Sequence, residues 1–111
     1  MHSYGEVILA AGGAFATKPR PVLVVQDQKY YTGESIIVMP FTSTENPEIK
    51  TRVLIQPTVK NGLDRKCYVE VEKISAIRLS CLSKTVGFLE DEHLRDIKRI
   101  AYLLLMMDNG K

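Results

Sequence analysis

The side chains best able to do chemistry in this sequence lie in three short segments. The first is Lys18-Pro19-Arg20-Pro21, a basic stretch running straight into Val22-Leu23-Val24-Val25. Two prolines hold the backbone extended around Arg20 and restrict where its guanidinium can point. A planar fork of donors at the root of a rigid strand suits a phosphodiester. The second is Pro40-Phe41-Thr42-Ser43-Thr44, where an apolar run ends in hydroxyls that can hydrogen-bond a phosphate oxygen. The third is Glu70 and Glu72, two residues apart and on one face of an expected strand. Paired carboxylates supply an acid and a base when their surroundings separate their pKa values. Each segment also has an ordinary reading: an exposed surface arginine, Ser/Thr turn material, a solvated strand face. Lys50, Arg52, Lys60, Arg65, Lys66, Arg78 and Lys84 are scattered near turns, as a basic rim or as plain surface.

Other chemistries find little support. Cys67 and Cys81 are the only cysteines, without a CxxC pair, and His2 and His93 lie far from both, so no zinc ligand set is expected. Two free, buried thiols are the expected state. Net charge is only +2. Residues 1–89 hold 11 Lys and Arg against 8 Asp and Glu, whereas residues 90–111 hold 4 against 5, so a polyanion would prefer the first part weakly. No apolar run approaches the roughly 20 residues that span a membrane. The N-terminus lacks the basic and apolar regions of a secretory signal, and a cytoplasmic protein is expected.

The elements that must position these side chains follow from pattern. The 111 residues suit one domain with a single core. Up to residue 89, short apolar runs alternate with turn signals, the mark of an all-β core. Strands are expected at Val7–Ala11, Pro21–Gln26, Ser35–Phe41, Thr51–Gln56 and Cys67–Lys73, with short closing strands at Ser75–Leu79 and Val86–Leu89. Pro21–Gln26 is almost wholly apolar, which implies burial on both faces. A turn is expected at Tyr30–Glu34, a polar loop at Thr42–Ile49 and a tight turn at Asn61-Gly62. Beyond Leu89 the period changes. Glu90-Asp91-Glu92 places acid in a first helical turn, and Leu94, Ile97, Ala101, Leu104 and Leu105 follow 3.6-residue spacing, widened by Ile100, Leu103 and Met107. Asp108-Asn109-Gly110 is the expected stop. The fold class is mainly β (α+β): a small, strongly curved antiparallel barrel with one amphipathic C-terminal helix. The apolar stripe is wider than one small sheet needs, which hints at a partner subunit.

The order of the motifs is more telling than any one of them. Gly5-Glu6-Val7-Ile8-Leu9 resembles the opening strand of the MazF/PemK (Kid) toxins, and Arg20-Pro21-Val22-Leu23-Val24-Val25 resembles their Arg-Pro strand. Val38-Met39-Pro40-Phe41-Thr42-Ser43 is similar to the strand ending Pro-x-Thr-[Ser/Thr]. Val71-Glu72-Lys73-Ile74-Ser75-Ala76-Ile77 is similar to the segment that usually begins with Asp. Leu82-Ser83-Lys84-Thr85-Val86-Gly87-Phe88-Leu89 is similar to the Lys-x-x-Gly turn before the last strand and helix. The likeness runs from about residue 5 to residue 107, in the family's order.

The resemblance implies an SH3-like barrel and a homodimeric type II toxin that cuts single-stranded RNA with no metal or cofactor. Arg20 would then be the catalytic arginine, Thr42 its hydroxyl partner on the scissile phosphate and Glu72 a candidate base. Lys18, Ser43, Thr44, Arg52, Glu70 and Lys84 would be RNA contacts. Attack by the ribose 2′-OH would leave a 2′,3′-cyclic phosphate and a 5′-OH. An antitoxin with a disordered, acidic-hydrophobic tail is the implied partner. Two departures weaken the acid/base assignment. The loop Gly12–Lys18 lacks the acidic residue that some members carry, and Glu70 and Glu72 stand where the Kid branch has Arg and Asp. A gyrase poison of the CcdB type would share the fold, but the Trp-Gly-Ile ending is absent and the chain has no tryptophan. A non-catalytic SH3-like binding module would need an aromatic groove, for which Tyr30, Tyr31 and Tyr68 offer little.

Overall fold

The computed structural model describes residues 2–12 and 18–105. The loop segment 13–17, Met107 and the helix stop at Asp108-Asn109-Gly110 lie outside those residues. Seven strands form one antiparallel, curved sheet: β1 (Glu6–Ala10), β2 (Arg20–Val24), β3 (Ser35–Thr42), β4 (Arg52–Ile55), β5 (Cys67–Glu70), β6 (Ser75–Arg78) and β7 (Leu82–Phe88), followed by the helix α1 (Asp91–Leu105). The order is β4-β5-β3-β2-β1-β7, with β6 on the first half of β3. Strand β3 serves three partners, β6 at residues 35–38, β2 at 38–40 and β5 at 41–42, so the sheet bends along it.

Both faces of the central strands are covered. Val7, Leu23, Met39, Ile55, Val69 and Leu89 form one core beneath Ile97 of α1. Ile8, Ala10, Val22, Val24, Ile36 and Val38 form a second core, beneath Ile77, Leu79 and Leu82. Val22, Leu23 and Val24 are wholly buried, which accounts for the unbroken apolar run of β2. On α1, Ile97 is buried and Leu94, Ile100 and Ala101 are half-buried. Tyr102, Leu103, Leu104 and Leu105 stay exposed. The surplus in the apolar stripe is therefore unburied surface at the helix end.

Two expectations need correction. Strand β5 ends at Glu70, and Val71–Lys73 is a 3-10 turn, so Glu70 and Glu72 are not alternate residues of one strand face. Nor is that face solvated, because Glu70 is buried. An alternating pattern looks the same whether its polar residues meet water or a buried cation, and here they meet Arg52. The last strand is also longer than Val86–Leu89. Its register against β1 shifts twice, between Val7 and Ile8 and between Ile8 and Ala10, and such bulges erase the period-2 signal over residues 82–85.

Candidate active site

Arg20 opens β2 beside Ala10 of β1. On its other side β2 pairs with β3 through Val22↔Pro40, and continuing that register sets Arg20 opposite Thr42. Because paired residues share a face, both side chains meet at one end of the sheet. They line a common cleft of about 210 Å³ with Lys18, Pro21, Phe41, Ser43, Leu63, Asp64, Arg65 and Cys67. Lys18, Arg20 and Arg65 outweigh Asp64 there, so the cleft attracts anions. The Oγ1 of Thr42 accepts the Thr44 N–H at 3.2 Å, which orients the hydroxyl and leaves its proton to be donated. Thr44 thus acts on the cleft through its backbone, and its side chain does not line it.

The row continues across the sheet. Thr42 pairs with Tyr68, and Tyr68 with Leu54 of β4. Phe41 and Val69 pack in the core, so Thr42, Tyr68 and Leu54 share the outer face. Tyr68 and Arg52 line a second hollow of about 270 Å³ under the loop Glu45–Lys50.

Arg52 itself is engaged. Its Nη2 lies 2.9 Å from Glu70 and 3.0 Å from Glu72, and its Nε donates to Glu72 at 3.1 Å. Thr51 Oγ1 adds a bond to Glu72 at 2.8 Å, and Lys73 lies 3.3 Å from Glu70. Burial pushes the Glu72 carboxyl up, but the bonds from Thr51, its own backbone and Arg52 outweigh it and hold the group below its ordinary value. The structure does not bring Glu72 or Glu70 into the cleft of Arg20 and Thr42. Lys84 is also apart, exposed on β7 with β1 between it and β2.

Sequence reasoning missed the wall built by Leu63, Asp64 and Cys67, and placed Arg65 only on a scattered rim. The usable signal was a basic pair, Arg65-Lys66, leading into a strand just after the Asn61-Gly62 turn. Cys67 is not a ready nucleophile: burial and then Asp64 push its thiol up to about 11. His2 bonds Glu6 at 3.1 Å and His93 lies on α1, so neither lines the cleft. Among the described residues, no three His, Cys, Asp or Glu side chains gather as a metal-ligand set. Nor is any described helix long and apolar enough to cross a membrane.

Comparison with known proteins gives a consistent set of relatives. The profile of the PemK-like, MazF-like toxins of type II toxin-antitoxin systems matches residues 4–105. A probable endoribonuclease MazF from Mycolicibacterium smegmatis is 35% identical over 88 residues, 78% of this chain and 81% of that protein. An endoribonuclease solved with its cognate antitoxin from a mycobacterial species superposes with a TM-score of 0.76 at 20% identity, covering 95% of both chains. A MazE-MazF structure from Deinococcus radiodurans gives 0.77 at 19% identity, covering 96% of this chain and 98% of that one. The last two likenesses speak to the fold alone.

Proposed function

Because the chain belongs to the PemK-like, MazF-like toxins of type II toxin-antitoxin systems, we propose that it is an endoribonuclease that cleaves single-stranded RNA through the 2′-OH. The observation carrying this reading is that Arg20 and Thr42 line a single cationic cleft. Attack of the 2′-oxygen on the adjacent phosphorus builds negative charge on a phosphorane. The Arg20 guanidinium and the Thr42 hydroxyl are fixed donors for that charge. The 2′-OH proton passes to water, the bond to the 5′-oxygen breaks, and that oxygen takes a proton from water, leaving a 2′,3′-cyclic phosphate and a 5′-OH. The route needs no metal. It needs a flexible strand, since the 2′-oxygen must swing in line with the leaving oxygen, and an unpaired strand also exposes its base edges.

Lys18 and Ser43 flank the reacting phosphate in this reading, and bases leaving the cleft pass over Tyr68 and Leu54 toward the hollow at Arg52. A carboxylate as fully engaged as Glu72 is a weak base, so its part is to hold Arg52 together with Glu70.

The antitoxin and a second copy are the proposed protein partners. An apolar groove of about 410 Å³ runs between α1 and the sheet, lined by Tyr4, Val25, Met39, Ile74, Ile97, Ala101 and Leu105 together with one acid, Asp27, and one base, Lys98. The apolar residues of a disordered antitoxin chain suit such a groove, and its acidic residues can reach Lys98. The exposed Leu103 and Leu104 beside it offer surface for the dimer.

The test is incubation of purified protein with a long unstructured RNA in excess EDTA, followed by end analysis. Discrete fragments with 5′-OH ends are expected. Intact RNA under all salt conditions, or 5′-phosphate ends, refutes the reading.

A further inference from the structure

One feature of the cleft is more elaborate than a turn requires. Asn61 is wholly buried and uses its full hydrogen-bonding capacity. Its Oδ1 accepts the N–H groups of Thr58 and Leu63, both at 3.1 Å. Its Nδ2 donates to the Gln56 carbonyl at 3.0 Å and to Glu90 Oε1 at 3.2 Å. Thr58 Oγ1 accepts the Asn61 N–H at 3.0 Å and donates to the other Glu90 oxygen at 2.6 Å. Two backbone bonds complete the clamp, Gly62 N–H to Thr58 O at 3.0 Å and Phe88 N–H to Lys60 O at 2.9 Å. The segment from Gln56 to Leu63 is thereby tied to β7 and to the residue preceding α1. A satisfied buried amide of this kind specifies one conformation.

The chain leaving the clamp forms the cleft wall. Leu63 packs into the core, and Asp64 and Arg65 then line the cleft with Lys18, Arg20 and Thr42. Arg65 is 72% exposed, and its only ion partner among the described residues is the neighbouring Asp64 at 3.6 Å. Unlike the guanidinium of Arg52, that of Arg65 has donors to spare.

Building on the ribonuclease reading, we infer that Arg65 is a second phosphate-binding cation of the cleft, gripping a phosphate next to the scissile one. Asn61 is the positioning residue that sets it there. Arg65 contributes to substrate capture rather than to the charge that develops in cleavage. Its loss therefore raises KM and leaves kcat nearly unchanged. Asn61 acts only through the wall it holds.

The experiment measures kcat, KM and their salt dependence on a short single-stranded RNA for the wild type, Arg65→Ala, Asn61→Asp and the double variant. Arg65→Ala is expected to raise KM about tenfold, the worth of one charge-assisted hydrogen bond. It should also lower the log–log salt slope of binding by about 0.7, one phosphate on a single strand. Asn61→Asp sets a carboxylate against Glu90 and the Gln56 carbonyl, so it opens the clamp and raises KM similarly. In that background Arg65→Ala adds little, because the cation is already misplaced. Adding Glu90→Gln, whose amide can donate to Asp at position 61, restores KM. If Asn61→Asp does not fold, Glu90→Ala takes its place, since it removes one of the four amide bonds.

An unchanged KM and salt slope in Arg65→Ala overturns the inference, as do independent, multiplying effects of the Arg65 and Asn61 changes. If the wild type cleaves while the variants behave so, the ribonuclease reading stands and this inference alone fails. If the wild type leaves RNA intact, both fall.

Discussion

Thr42 and Thr44 share a hydrogen bond that fixes the chemistry of the strand end: the Thr44 N–H donates to Thr42 Oγ1 at 3.2 Å. With that lone pair occupied, the Thr42 hydroxyl is set to give its own proton to an oxygen in the Arg20 cleft. Thr42→Val removes the donor and should lower kcat on the order of 10²-fold, whereas Thr42→Ser keeps the donor and most of the activity. Arg20→Ala should cost 10²- to 10³-fold by order of magnitude. Arg20→Lys should recover only part of that loss, because a point charge does not replace a planar fork. Arg20 is exposed, so its variants should unfold within about 0.5 kcal/mol of the wild type in urea.

The Arg52 cluster makes a prediction about stability and acid. Arg52 and Glu70 are both nearly buried, with side chains 11% and 8% exposed. Arg52→Ala strands the Glu70 carboxylate with only the exposed Lys73, and should cost about 3 kcal/mol. Glu72 gives the pH dependence. Its folded pKa lies below the ordinary 4.5, so the folded protein binds its proton less readily than the unfolded chain. The stabilisation is fully present above pH 4.5 and is lost as pH falls through the lower folded value. Urea titrations at neutral and acid pH should show Glu72→Gln less stable at pH 7 and flatter toward acid than the wild type. Parallel curves would count against the account.

Gly62 is required by space as well as by backbone. Its φ is +71°, and a Cβ there would stand 1.9 Å from the Val86 carbonyl oxygen. Across the contact, a Cβ on Gly87 would stand 2.4 Å from the Lys60 carbonyl oxygen. Neither neighbour is a flexible side-chain tip. Gly62→Ala should therefore cost about 2–4 kcal/mol, combining an unfavourable backbone with overpacking. Thermal unfolding would reveal it. A Tm equal to the wild type's would mean that Gly62 is not pressed against the Val86 carbonyl of β7.

Cys67 should be inert although it lines the cleft. With its thiol pushed up to about 11, almost no thiolate exists at neutral pH. Iodoacetamide at pH 7.5 should leave Cys67 unmodified in the native protein by peptide mass mapping, and RNA cleavage should persist. Rapid alkylation of Cys67 with loss of activity would make it a candidate nucleophile instead.

The residue order alone specified the positions of most strands and the single helix. Those features depend on local rules: alternation, proline-restricted backbone, turn residues, and a change of period after Leu89. It also carried enough motif order to suggest the family. What tertiary structure decided was the environment of each charge. Glu70 and Glu72 read as one exposed strand face, yet a 3-10 turn separates them and Arg52, 18 and 20 residues earlier in the chain, draws both inward. Arg65 read as rim, yet the Asn61 clamp sets it in the wall of the Arg20 cleft. Burial and ion pairing arise from contacts between distant segments, and no local pattern records which cation a carboxylate will meet.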